Sequence, residues 1–197
     1  MEKAKMIAIY GVNNLGKTTQ IAELVKRLKI FGQATSLKYP VYDLEPSGQI
    51  LFNYLRGGNP FNLTPKEAQI IYVLNRLQFQ PKLIKMISKF DFIVLEDYIG
   101  TGLAWGIGAG VNKEFLLTLN SCLLTEDIAI CLDGQRFLSG KEPGHKHEND
   151  NQLTKIVKQV HLNLAKQFEW QVINANQTIE QVGEQIFQIV KEKFRLS

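Results

Sequence analysis

The chain has 197 residues, 45% of them apolar and 21% charged, which is enough to bury a full hydrophobic core in one domain and excludes a disordered chain. Its net charge of +4 comes from 18 scattered lysines and only five arginines, so a small phosphorylated ligand is expected and a nucleic-acid partner is not. No apolar run approaches the roughly 18 to 20 residues that cross a bilayer and no signal-peptide core precedes the first strand, so a cytoplasmic location with no membrane partner is expected; Cys122 and Cys131, in apolar stretches without CxxC spacing, read as buried thiols.

Residues 6–10 form a short apolar run ending at Gly11, after which Ile21, Leu24, Val25 and Leu28 recur on one helical face. The order is strand, loop, helix. Residues 33–39 read as a second strand, Pro40 and Pro46 interrupt the chain, and a helix over 47–55 leads into a loop at 56–60. Thr64 and Glu67 make a capping box with Pro65 at the first helical position, so a long amphipathic helix is expected to run to Ser88 with a kink at Pro81. Strands over 92–95 and 128–132 both end in acid, Glu96 and Asp97 after the first and Asp133 after the second. Between 134 and 151 the apolar pattern stops in a glycine-rich polar stretch that reads as a mobile loop within the domain. A helix over 153–168, a strand over 170–173 and a closing helix over 178–194 complete the chain. Strands alternate with helices throughout, which predicts an α/β fold for a single domain, 1–197, with a parallel sheet flanked by helices.

The first loop carries the chemistry. Gly11, Val12, Asn13, Asn14, Leu15, Gly16, Lys17 and Thr18 satisfy the G-x-x-x-x-G-K-[ST] pattern between a strand and a helix, with Thr19 following. The glycines let backbone N–H groups turn onto phosphate oxygens, and the helix N-terminus adds its positive dipole end. Lys17 then reaches the outer phosphates of ATP, and the Thr18 hydroxyl is offered to Mg²⁺. Such a site needs an acid at the end of a neighbouring strand, and Glu96 is the expected metal partner beside Thr18.

Further along, Gly16-Lys17-Thr18-Thr19-Gln20, the pair Tyr39-Pro40, Tyr72 with Asn75-Arg76, Leu103-Ala104-Trp105, Gly144-His145 and the run Val172-Ile173-Asn174-Ala175-Asn176-Gln177-Thr178-Ile179-Glu180 occur in one order. Together they resemble the thymidylate kinase family of nucleoside monophosphate kinases. The resemblance implies a P-loop NTPase fold, a five-stranded parallel sheet in a three-layer αβα arrangement. It implies transfer of the γ-phosphoryl group of ATP to dTMP with Mg²⁺, giving dTDP and ADP, in a homodimer. Carried onto this sequence, the resemblance makes Tyr72 a stacking partner for thymine and Arg76 a donor to the base edge, with Asn75, Tyr39, Pro40 and Trp105 around the acceptor. For Tyr72 ordinary packing on a helix face is the competing reading, and for Trp105, among Gly100, Gly102, Gly106, Gly108 and Gly110, it is a flexible turn around a buried indole. The 134–151 loop takes the place of the family's lid, where Arg136, Lys141 and Lys146 are the cations available to the transferring group and His145 and His147 read as solvated rather than metal-binding.

Three positions depart from the family's pattern. Asn13 stands where the family commonly has an acid that contacts the acceptor sugar. Asp97 falls on the arginine of a D-R-Y segment, and Val41-Tyr42-Asp43 occupies the stretch where another arginine is expected. The acceptor phosphate has thus lost two cationic partners, leaving lysines from elsewhere or a metal bridge through Asp97 to compensate. The alternatives are a kinase for another deoxynucleotide or for a deoxynucleoside, or a nucleotide-binding regulatory protein without turnover.

Overall fold

The apolar run at the start of the chain forms strand β1 (Lys5–Tyr10), and its alternation divides the core. Ile7 and Ile9 face helix α1 (Lys17–Leu28), where Ile21, Leu24 and Leu28 meet Val182, Ile186 and Val190 of the closing helix α7 (Ile179–Phe194). Met6, Ala8 and Tyr10 face the opposite way, toward Phe79 and Leu83 of α3 (Pro65–Ile87). Both faces of the sheet are covered, so its inner strands read as unbroken apolar runs rather than as alternating ones. These statements come from a computed structural model that describes residues 3–137 and 150–196.

The remaining strands are β2 (Ala34–Lys38), β3 (Phe92–Glu96), β4 (Ile128–Asp133) and β5 (Gln171–Asn174). All pairings are parallel and the order is β2-β3-β1-β4-β5, the five-stranded sheet that the alternation predicts. Pairing of Ile9 with Glu96 and of Tyr10 with Cys131 brings the carboxyl ends of β1, β3 and β4 to one edge. In open parallel sheets ligands bind there, in the crevice where the strand order reverses.

Two helices follow the expected positions closely, α2 (Ser47–Arg56) and α6 (Asn151–Gln167). The Thr64–Glu67 capping box forms, with Thr64 accepting from the Glu67 N–H and Glu67 accepting from Thr64. The glycine-rich stretch after β3 differs from the turn considered for it. It forms α4 (Ile99–Gly108), and a further helix, α5 (Lys113–Asn120), follows it. Glycine serves packing there: a Cβ on Gly100 would lie 2.6 Å from both Trp170 and Tyr10, and one on Gly108 2.6 Å from Val157. Apolar residues also stand on the exposed side of α3, at Ile70, Leu74, Leu77 and Ile84, so that helix is less cleanly amphipathic than its sequence pattern suggests.

Of the two thiols, only Cys131 is buried, and burial pushes its pKa up to about 12. Cys122 is exposed, contrary to its apolar flanks, because it falls just beyond the end of α5, on the surface. Among the described residues no helix is long and apolar enough to cross a membrane. Most of the expected lid, including Lys141, Gly144, His145, Lys146 and His147, lies outside the described residues.

Candidate active site

The loop between β1 and α1 is built to leave its N–H groups available to a ligand. Gly11 has φ 130°, and a Cβ there would fall 2.5 Å from the Leu132 carbonyl oxygen, so only glycine lets β1 turn this close to β4. Val12 and Leu15 are buried in the core and anchor the loop from behind. Gly16, at φ 79°, caps α1 without a side-chain hydrogen bond, and no acid occupies the first turn of that helix. A helix start without its own anion is the electrostatic counterpart of a phosphate.

Lys17 is buried and curls back over the loop, donating to the Gly11 and Val12 carbonyls at 3.0 Å each. Its ammonium lies 3.5 Å from Asp97 Oδ1. Asp97 itself sits at φ 59°, a left-handed conformation that aspartate tolerates better than most residues, and accepts from Thr101 Oγ1 at 3.2 Å. Next to it, the buried Glu96 accepts from Thr18 Oγ1 at 2.9 Å and from Lys38 Nζ at 2.7 Å, both on Oε1. Burial lowers the Lys38 pKa, but the hydrogen bond and charge of Glu96, reinforced by Asp97, outweigh it and hold the ammonium above its ordinary value.

These groups open on a cavity of about 400 Å³. Of the expected site residues, Asn13, Asn14, Gly16, Lys17, Thr18, Thr19, Tyr39, Pro40, Tyr72, Arg76, Glu96, Asp97 and Trp105 line it. Asn75 does not, and acts instead as a clamp, its side chain accepting from the Val41 N–H and donating to the Val41 carbonyl at 2.8 Å each. That bond pair fixes the turn that carries Tyr39 and Pro40. Arg136 stands beyond β4 outside the lining, while its neighbour Phe137 reaches the cavity and donates its N–H to the Asn14 carbonyl at 2.7 Å.

Helix α3 presents Gln69, Tyr72 and Arg76 at the helical spacing that puts three side chains on one face. Arg76 is buried, donates from Nη2 to the Tyr98 carbonyl at 2.9 Å, and lies beneath Gly102, where a Cβ would come within 2.8 Å of the guanidinium. Burial lowers its pKa, and the tyrosines around it, Tyr98 first, act in the opposite sense. Tyr72 has its pKa raised well above the usual phenol value by burial and by Tyr54, so it is a neutral ring at working pH. Three cavity-lining groups are buried without a hydrogen-bond partner among the described residues: Gln69 Oε1, Arg76 Nε and the Tyr39 hydroxyl. Unsatisfied polar groups of this kind cost stability in a ligand-free cavity, and a bound ligand's polar edge can satisfy them.

Sequence reading missed Lys38, Tyr42, Leu55, Arg56, Gln69, Thr101 and Phe137, which also line the cavity. For Gln69 a signal existed, since it lies three and seven residues before Tyr72 and Arg76. Lys38 and Arg56 gave none, because only tertiary structure brings the ends of β2 and α2 to the loop.

A 2-3-1-4-5 parallel sheet, a phosphate loop at the end of its central strand and a carboxylate bonded to the loop threonine define a P-loop kinase of the nucleoside monophosphate class. The family model described as thymidylate kinase matches residues 9–186, and the chain belongs to that family. It is similar to the thymidylate kinase of Prochlorococcus marinus strain AS9601, with 28% identity over 98% of each chain. The thymidylate kinase of Dictyostelium discoideum shares 22% identity over 99% of this chain and 88% of its own length. Among solved structures, thymidylate kinase from Candida albicans superposes with a TM-score of 0.79 at 24% identity, covering 98% of this chain and 93% of that one.

Proposed function

We propose that the chain transfers the γ-phosphoryl group of ATP to the 5′-phosphate of dTMP, giving dTDP and ADP. The observation that supports this most is that one cavity is lined both by Lys17 and Thr18 of the phosphate loop and by Gln69, Tyr72 and Arg76 of α3. Donor and acceptor can therefore meet in one enclosure. Thymine presents an N3–H between two carbonyl oxygens. Gln69 Oε1 and Arg76 Nε, an acceptor and a donor lacking partners among the described residues, complement that edge, and the neutral Tyr72 ring offers a stacking face.

An oxygen of the acceptor phosphate attacks the γ-phosphorus as the bond to the β-bridging oxygen breaks, and ADP leaves. That oxygen is already deprotonated near neutral pH, so no general base is needed and no covalent enzyme intermediate forms. Lys17 exchanges the loop carbonyls for the outer phosphates of ATP, and Arg136 supplies charge from the segment after β4. Thr18 and Glu96, bonded to each other, with Asp97 adjacent, form a set of hard oxygen donors that fits Mg²⁺. When bound, the ion neutralises charge on the β- and γ-phosphates. Catalysis otherwise consists of holding two phosphates in line in a site closed to water.

The exposed apolar residues Ile70, Leu74, Leu77 and Ile84 on α3 support a homodimer through that helix.

One observation favours a second reading. Asp97 places a carboxylate 3.5 Å from Lys17 Nζ, where the family's pattern has a phosphate-binding arginine, and an uncharged acceptor such as thymidine would not be repelled by it. A coupled ADP-release assay with ATP, Mg²⁺ and a panel of dTMP, dUMP, dCMP, dGMP and thymidine separates the two. Turnover highest on dTMP is the expected outcome. Turnover on thymidine alone would transfer the assignment to a nucleoside kinase.

A further inference from the structure

We infer that Arg56 is the residue that binds the acceptor's own phosphate, with Tyr42 as its support; the inference rests on the proposed monophosphate acceptor. Among the described residues four cations line the cavity: Lys17, Lys38, Arg56 and Arg76. All four have partners within the protein, and those of three of them set another role. Lys17 belongs to the phosphate loop and its carbonyls, Lys38 is bonded to Glu96, and Arg76 is buried against the Tyr98 carbonyl beside Gln69 and Tyr72, where the base is recognised.

Arg56 is the last residue of α2, at the position where the sequence reading ends the helix and begins a loop. Its Nη1 donates to the Tyr42 hydroxyl at 2.6 Å, and its guanidinium lies 5.3 Å from the centre of the Tyr42 ring and 5.9 Å from that of Phe52. The two rings meet edge to face, with centroids 5.7 Å apart. Ring stacking and a hydroxyl bond hold a long side chain in one orientation, so less entropy is lost when it takes a ligand. Tyr42 lies in the Val41-Tyr42-Asp43 stretch that lacks the expected arginine. A guanidinium delivered from α2 and seated on Tyr42 restores positive charge to that place.

The need for it follows from charge. Asp97 lines the same cavity, and a dianionic acceptor phosphate entering beside a carboxylate requires a compensating cation. A planar guanidinium can grip two phosphate oxygens at once, which the point charge of Lys38 cannot.

The test is the affinity of dTMP relative to thymidine, measured by calorimetry on wild type, Arg56→Ala, Arg56→Lys and Tyr42→Phe, with ATP affinity and thermal midpoint as controls. Thymidine shares base and sugar but carries no phosphate. In Arg56→Ala, dTMP affinity is expected to fall about 10- to 100-fold, the range of a charge-assisted hydrogen bond, with thymidine affinity nearly unchanged. Arg56→Lys should recover part of the loss, and Tyr42→Phe should give a smaller loss with the same selectivity for dTMP. Parallel losses of dTMP and thymidine would overturn the inference, since they mark a role in shaping α2 or the base pocket. So would an unchanged dTMP affinity. A wild-type protein that binds dTMP no better than thymidine overturns it together with the proposed acceptor, whereas a wild type that favours dTMP with an unchanged Arg56→Ala ratio removes Arg56 alone.

Discussion

His161 makes stability depend on pH in a way that can be calculated. The residue lies on α6 and is 2% exposed; its Nδ1 donates to the Val157 carbonyl at 3.0 Å, and its Nε2 has no partner among the described residues. Burial lowers its pKa from 6.5 to about 4, the Val157 bond opposes that, and of the charged groups facing it Lys17 lowers the value while Asp133 raises it. The folded protein thus holds histidine neutral while the unfolded chain protonates it below 6.5. A depressed base contributes stability that is full at neutral pH and lost as pH falls from 6.5 toward 4. At 1.36 kcal/mol per unit, the loss attributable to His161 is about 2 kcal/mol by pH 5 and about 3 kcal/mol by pH 4. His161→Leu removes the titration and the unpartnered nitrogen together. Urea denaturation of both proteins at pH 7 and pH 5 should show the wild type losing about 2 kcal/mol more than the variant over that interval. Parallel losses would show that His161 does not titrate as argued.

Other changes test the loop, the metal position and the α3 surface. Gly11→Ala forces a side chain into φ 130° and against the Leu132 carbonyl, so it should cost more than about 2 kcal/mol in denaturant unfolding; a loss below about 0.5 kcal/mol would mean that the β1 turn is not held as described. Glu96→Gln keeps the shape but removes the charge bonded to Thr18 and Lys38, and kcat should fall about 100-fold or more with a higher Mg²⁺ requirement in ADP-release assays. An unaltered Mg²⁺ dependence would move the metal site elsewhere. Leu74→Glu places charge in the exposed apolar stripe of α3, and light scattering should report a dimer for the wild type and a monomer for the variant. A dimer that survives this change uses another face.

Local signals in the sequence carried the alternation of elements, the capping box at Thr64 and the phosphate loop, because each rests on residues within a few positions of one another. The glycines after β3 misled for a physical reason. In isolation Gly100 and Gly108 signal a turn, yet the aromatic and aliphatic groups packed on them, Trp170, Tyr10 and Val157, come from far along the chain. Cys122 was misplaced in the same manner, since apolar neighbours in sequence do not reveal which side of a helix end faces solvent. At the site, Glu96 was legible as a strand-end acid beside the loop motif. Asn75 was read as a ligand-facing residue because its neighbours are, but a helix turns 100° per residue and its amide is spent on Val41 instead. Arg56 and Lys38 stayed hidden among the chain's cations until the fold put them on one cavity wall with the phosphate loop.

The central claim is direct phosphoryl transfer between two nucleotides held in that cavity. Phosphorus NMR of one reaction containing the protein, ATP, Mg²⁺ and dTMP follows every phosphate at once. The account requires the dTMP signal to be replaced by the two coupled resonances of dTDP, in step with ADP and without free inorganic phosphate, and requires the reaction to stop in Lys17→Ala. Accumulation of ADP and inorganic phosphate with dTMP intact would contradict it.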